Sequence, residues 1–208
     1  MNSTLQQVEE ELKKLEPNSF EKKFVLLFTS KAKVFKWYNS DYEFRSGLSW
    51  LKELELEEDE EILYGMGLNQ MKGFMIFAFA NGKVAKINMK AYETKTERKV
   101  LMNAYNDESP LIFLKYLDED CDILIKGSTG KVLIINTSII NPLETKSSRG
   151  VQVLKLKPST EATRVYFMDE VNLQDSAYYK REGAAVGYYL KPGDELTKKM
   201  ELKEDDLV

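Results

Sequence analysis

The sequence predicts an all-β fold built from propeller-type blades, and three observations carry that prediction. Short runs of β-branched and aromatic residues alternate with turn signals from residue 22 onward. The runs repeat: Lys33, Lys83 and Lys131 each open the second strand of a hairpin, 50 and 48 residues apart, and Val34, Val84 and Val132 follow in the same register. Each period holds four such runs, the content of one blade in an architecture that protects sheet edges by radial repetition.

Taken in order, residues 4–16 read as a helix, because Leu5, Val8, Leu12 and Leu15 form one narrow apolar stripe. Ser3 or Thr4 caps its start and Pro17 closes its end, so residues 1–20 are assigned to a helical arm or linker. Residues 21–198 are assigned to the β domain. The first unit takes Phe24–Ser30 and Lys33–Tyr38 as a hairpin, then Leu48–Leu54 and Ile62–Leu68. The second takes Phe74–Ala80 and Lys83–Asn88, joined by Asn81-Gly82 as a two-residue turn whose positions both tolerate positive φ, then Val100–Tyr105 and Pro110–Tyr116. The third takes Asp122–Gly127 and Lys131–Asn136, then Val151–Leu156 and Thr163–Met168. That makes three blades, with the stretch from Ala177 to Leu196 left for a partial fourth. Residues 199–208 are assigned to an acidic tail.

Composition narrows the function. The 208 residues include no histidine and one cysteine, Cys121, with 30 Lys and Arg against 34 Asp and Glu, a net charge of −4. One cysteine forms no internal disulfide, and the absence of histidine removes the usual zinc sites, the Ser-His-Asp triad and the Cys-His dyad. No stretch approaches the roughly 18 apolar residues of a membrane span. The start lacks the basic and apolar regions of a signal peptide, so the sequence predicts a cytoplasmic protein without a membrane partner.

Charge is unevenly distributed. Residues 81–99 carry Lys83, Lys86, Lys90, Lys95, Arg98 and Lys99 against Glu93 and Glu97, a local +4. Residues 22–36 hold five lysines and no acid, and the third unit offers Lys126, Lys131, Lys146, Arg149, Lys155 and Lys157. Cations repeated at blade spacing suit a curved row of phosphates, and no bidentate base reader stands out, so the pattern points to backbone recognition. The acids gather instead in residues 53–61 and at Asp118-Glu-Asp-Cys-Asp122, and read as solvated turns between blades. Asp118, Asp120 and Asp122 alternate like the start of a calcium loop but lack its glycine and distal glutamate, so no metal site is assigned. Gly127-Ser-Thr-Gly-Lys131 lacks the spacing and the helix of a phosphate-binding loop. Trp37, Tyr38, Trp50, Tyr64, Phe113, Tyr166 and Phe167 read as core rather than as a stacking platform, and Tyr178-Tyr179 is left open. Cys121 reads as structural, its acidic neighbours raising the thiol pKa.

The repeats carry a resemblance. Asn81-Gly-Lys-Val and Gly130-Lys-Val-Leu, the latter followed by Ser147-Ser-Arg-Gly-Val-Gln-Val-Leu-Lys-Leu156, resemble the blade motif of the C-terminal domain of bacterial type IIA topoisomerase A subunits, the group that comprises DNA gyrase A and its topoisomerase IV counterpart. Ala184-Ala-Val-Gly-Tyr-Tyr-Leu-Lys-Pro-Gly-Asp194 resembles the region that closes these domains. The Gln-Arg-Arg-Gly-Gly-type gyrase box is absent; its nearest counterpart is Phe44-Arg-Ser-Gly-Leu48, so topoisomerase IV is the nearer comparison. The resemblance implies a β-pinwheel whose blades share strands, though with about three full units where the family more often has five or six.

The resemblance also implies a function: non-catalytic binding and bending of double-stranded DNA beside a cleavage core and its ATP-hydrolysing partner, with no cofactor of its own. The residues expected to contact DNA are Lys33, Lys36, Lys83, Lys86, Lys95, Arg98, Lys99, Lys131, Lys146 and Arg149. The alternative is a protein-interaction module that uses the acidic inter-blade loops. A carboxylate hydrolase or nuclease has little support, because no Asp/Glu pair recurs at matched blade positions.

Overall fold

A computed structural model describes residues 24–38, 56–94 and 99–196. The predicted N-terminal helix, the Leu48–Leu54 run, the acidic tail and both assigned domain boundaries lie outside these residues. Among the described residues the strands are β1 (Phe24–Thr29), β2 (Val34–Tyr38), β3 (Ile62–Leu68), β4 (Phe74–Phe79), β5 (Lys83–Asn88), β6 (Val100–Leu101), β7 (Leu111–Leu117), β8 (Asp122–Gly127), β9 (Lys131–Asn136), β10 (Val151–Gln152), β11 (Ala162–Phe167) and β12 (Tyr188–Tyr189). They form three four-stranded sheets ordered β3-β1-β2-β6, β10-β5-β4-β7 and β11-β8-β9-β12, with every pairing antiparallel. The sheets meet along the β3, β7 and β11 edges, β7 lying between the other two.

The sheet order corrects the assignment of four strands to each repeat in sequence. The third run of a unit leaves its own blade and closes the preceding one. Val100 and Leu101 pair with Phe35 and Val34 of the first sheet, and Val151 and Gln152 pair with Val84 and Lys83 of the second. Alternation marks a segment as a strand but does not say which edge it joins, because that pairing is long-range. The stretch from Ala177 to Leu196 starts no fourth blade; its Tyr188 and Tyr189 supply the outer strand of the third sheet by pairing with Val132 and Lys131.

The hairpins are also built differently from the two-residue turn expected at Asn81-Gly82. Gly82 N–H donates to the Phe79 carbonyl (2.9 Å) and Gly82 has φ +76°, while Asn81 is not among the left-handed residues. This is the longer hairpin in which a turn ends on one left-handed residue. Gly130 (φ +83°) repeats it in the third blade, and Ala32 (φ +52°) holds the equivalent place in the first. After the second strand, Asn88 and Asn136 each accept a side-chain hydrogen bond from the backbone N–H two residues on, starting a short 3-10 turn that buries Tyr92 and leads to the buried Ile140. These are the residues nine positions after the repeated lysines.

Three apolar clusters follow from the stacking. Phe24, Leu26, Phe28, Met75, Phe77 and Tyr92 join the first sheet to the second, Phe28 meeting Phe77 and Tyr92 edge-on at 6.0 and 5.3 Å. Ile76, Val84, Ile123, Leu133, Val153 and Val165 join the second to the third. Tyr166 is buried, Phe113 meets Phe167 edge-on at 5.5 Å, and Tyr64 packs against the first cluster, as predicted for core aromatics; the side chains of Trp37, Tyr38 and Trp50 lie outside the described residues.

The free face of the third sheet is covered by the chain that follows it: Leu124, Ile134 and Tyr166 pack against Val171, Leu173, Tyr179 and Leu196. Tyr179 is fully buried; its hydroxyl donates to Asp194 Oδ2 (2.5 Å) and accepts from Lys191 N–H (2.7 Å). This cover works like the capping unit of a repeat stack. Tyr179→Phe removes both bonds and is expected to speed proteolytic cutting within residues 180–196 several-fold while the cuts elsewhere are unchanged.

Candidate nucleic-acid interface

The expected DNA-contacting residues separate into two populations. Lys33, Lys36 and Lys86 are interior groups, which corrects their placement on an outer rim. Lys33 is 6% exposed and its ammonium bonds Glu57 Oε1 (2.6 Å) and Glu60 Oε2 (2.9 Å). Glu60, 1% exposed, also accepts from Thr29 Oγ1 (2.5 Å) and from Glu57 N–H (2.9 Å). The two Glu57 and Glu60 bonds hold the Lys33 ammonium above its ordinary range. Burial pushes the Glu60 carboxyl up, but the bonds from Lys33, Thr29 and Glu57 outweigh it and the net shift is down.

Lys36 is fully buried and donates to the Tyr92 carbonyl (3.1 Å) and to Thr94 Oγ1 (2.8 Å). Lys86 lies over the Phe74 ring, donates to Asp120 Oδ1 (2.5 Å), and shares that oxygen with the Thr137 hydroxyl (2.6 Å). The hairpin strands are covered on both faces, so Lys33 to Lys36 and Val84 to Ile87 are all buried, and a buried ammonium requires an acceptor.

The acidic runs supply those acceptors, so they are not simply solvated turns. Glu57 and Glu60 serve Lys33, Asp120 serves Lys86, and Asp122 pairs with Lys180 (2.7 Å) and Asn136 (2.7 Å). Asp118 is engaged by the Tyr116 hydroxyl. Among the described residues no group of three Cys, Asp or Glu side chains is placed to hold a metal ion. Cys121 is half-buried, and burial first, then Asp120, Asp122 and Asp169, pushes its thiol pKa up.

The other population lies at the surface. Arg149 is exposed and paired with Glu108 (2.6 Å). Lys83, Lys131 and Lys146 have no ion pair among the described residues, and Lys131 lies 5.2 Å from the centre of the Tyr189 ring. Lys95 and Arg98 lie outside the described residues; Lys99 is at the boundary of β6, its carbonyl accepting from Lys36 N–H (2.7 Å).

The surface around the third blade adds cations that the expected set omits. Lys155 and Lys157 stand beside Lys131 around one cavity, and Lys126 and Arg164 are cross-strand neighbours on β8 and β11. None of these five forms an ion pair among the described residues. From Ile123 to Met168 the chain carries seven Lys and Arg against Glu144 and Glu161. Charge counting along the sequence names all of these residues but Arg164 and leaves Lys126, Lys155 and Lys157 out of the expected contacts, because it does not see which lysines are neutralised from within. Beside them, the tilted rings of Tyr178 and Tyr188 meet at 4.9 Å with Lys191 and Arg181 over them, so the open question about Tyr178-Tyr179 divides: Tyr179 is core and Tyr178 is surface.

No protein-family model matches the chain, and no curated protein matches it. Solved structures do match. The C-terminal domain of DNA topoisomerase IV aligns with a TM-score of 0.65 at 18% identity over 84% of this chain and 61% of that one. The DNA gyrase A C-terminal domain aligns at 0.52 and 14% identity, over 79% and 59%, and the E. coli ParC C-terminal domain at 0.63 and 10%, over 85% and 80%. The chain thus spans about three fifths of the first two domains, and its fold is that of the C-terminal domains of topoisomerase IV and gyrase A.

Proposed function

We propose that this chain is a non-catalytic module that binds and bends duplex DNA for a type IIA topoisomerase, gripping phosphates mainly around its third blade. The observation that supports the reading most is the set Lys126, Lys131, Lys155, Lys157 and Arg164, which forms no ion pair among the described residues, on a fold shared with topoisomerase C-terminal domains. Lys83, Lys146 and Arg149 extend the surface toward the second blade. Lys33, Lys36 and Lys86 take no part, their ammonium groups being engaged inside the protein. Partners in this reading are double-stranded DNA, the cleavage core and the ATP-hydrolysing subunit.

Counterion release makes the reading quantitative, since each phosphate neutralised adds about 0.9 to the slope of log affinity against log salt. Replacing Lys126, Lys131, Lys155 and Lys157 together by alanine is expected to lower that slope by about 3 to 4 in a fluorescence-anisotropy titration with a duplex. Lys86→Ala is expected to lower the melting temperature and leave the slope unchanged. Equal slopes for the quadruple variant and the parent protein would remove the third blade from the interface. Bending is tested separately, by energy transfer between dyes at the two duplex ends.

A further inference from the structure

The second and third blades are built alike up to one point and then differ, and the difference leaves an unfilled seat. In the second blade the outer strand enters through Gly150 (φ +71°), pairs Val151 and Gln152 with β5, and continues across the hairpin. Val153 N–H and Leu154 N–H both donate to the Gly82 carbonyl (3.0 Å each), and Leu156 Cδ1 lies 3.2 Å from the position of a Cβ on Gly82.

In the third blade the outer strand enters through Gly187, also at φ +71°, and pairs Tyr188 and Tyr189 with β9. There the likeness stops. Lys191 N–H turns away to the Tyr179 hydroxyl, and the chain becomes the cover of the third sheet. Nothing lies within 4 Å of a Cβ position on Gly130, and among the described residues no N–H reaches the Gly130 carbonyl.

A cavity of about 150 Å³ lies beside this hairpin, bordered by Gly127, Thr129 and Lys131, a volume that suits a large apolar group. Leu154, Leu156, Val186 and Tyr189 line it, and Val186 and Tyr189 are 51% and 63% exposed. Lys131, Lys155 and Lys157 stand around it, with no carboxylate in the lining.

We propose that this seat binds an extended segment of a partner protein carrying leucine or valine alternating with aspartate or glutamate. The segment adds to the third blade as residues 153–156 add to the second: a backbone N–H donates to the Gly130 carbonyl, an aliphatic side chain enters the cavity, and carboxylates meet the three lysines. This is strand addition with a built-in template. The apolar lining favours a peptide over a sugar-phosphate chain, which has no aliphatic side chain to offer. The inference rests on the repeat geometry and stands independently of DNA binding, although both ligands would compete for Lys131, Lys155 and Lys157.

The probe is a fluorescein-labelled peptide, acetyl-Asp-Val-Glu-Leu-Glu-Leu-amide, titrated into the full chain by anisotropy, with amide shifts followed by NMR. Saturable binding is expected, with the largest shifts at Gly130, Val186 and Tyr189. Val186→Asn, a neutral surface change that leaves the core intact, is expected to weaken the peptide several-fold and to leave duplex affinity within twofold. Lys155→Glu with Lys157→Glu is expected to weaken both ligands. Three results overturn the proposal: no saturable binding; equal affinity for a peptide with serine at the leucine and valine positions; or duplex affinity falling with Val186→Asn while peptide affinity does not, which would give the seat to DNA. Binding that emerges only after deletion of residues 197–208 would instead assign the seat to this chain's own terminus and overturn the partner.

Discussion

Gly150→Ala is expected to destabilise the protein by roughly 3 kcal/mol or more. Two costs combine. Gly150 sits at φ +71°, where an L side chain is strained by about 1–2 kcal/mol. The new Cβ would also lie 2.4 Å from the Val84 carbonyl oxygen and 2.7 Å from Ala85 N, both in the backbone of β5. Neither atom can withdraw without opening β5, so the outer strand of the second sheet must give way. Gly130→Ala is the matched control: φ is similar at +83°, but nothing lies within 4 Å, so only the conformational cost of about 1–2 kcal/mol remains. Chemical denaturation measures both, and native-state hydrogen exchange should show protection lost at Val84 and Val151 in the first variant alone. Equal destabilisation by the two changes would contradict the close approach of the strands.

Glu60→Ala comes next, at about 3 kcal/mol, because it strands the Lys33 ammonium with only the exposed Glu57 as partner. The same pair sets a pH profile. Glu60 titrates below its ordinary value of 4.5, so its contribution is complete above 4.5 and drains away as pH falls through the lowered value. Lys33 titrates above its ordinary 10.5, so its contribution is complete below 10.5 and is lost as pH rises through the raised value. Between those limits the pair contributes a constant stabilisation. Glu60→Gln is expected to flatten the acid limb of stability against pH, as followed by urea denaturation at a series of pH values; an unchanged acid limb would mean that other carboxylates set it. Lys33→Ala, for its part, is expected to change stability and not the salt dependence of DNA binding.

Most of the architecture is legible in the sequence, for identifiable reasons. The hairpins of the three units can be placed nearly to the residue because each is local: two alternating runs and a tight turn within about 15 positions. The repeated lysines and valines carry the period. What stays hidden is long-range. Val100–Leu101 and Val151–Gln152 look like members of their own units and join the neighbouring sheet, and the pattern of a strand does not encode its partner. The interface suffers from the same blindness. Lys33 and Lys131 are equivalent in the repeat and identical in chemistry, yet Lys33 is neutralised by Glu57 and Glu60 while Lys131 has no ion pair among the described residues. The acidic stretches look like bystanders because pairing between residues 24 to 34 positions apart leaves no local trace.

The exchange of outer strands also sets an order on how the protein can be made. A blade that kept all four strands could close as soon as its own repeat left the ribosome. Here the first sheet waits for Val100–Leu101, the second for Val151–Gln152 and the third for Tyr188–Tyr189. Each nascent blade therefore carries an open β2, β5 or β9 edge until well into the next repeat is synthesised. Translation itself becomes the sequence of closure, and a chain arrested midway exposes one unfinished edge to whatever strand arrives first.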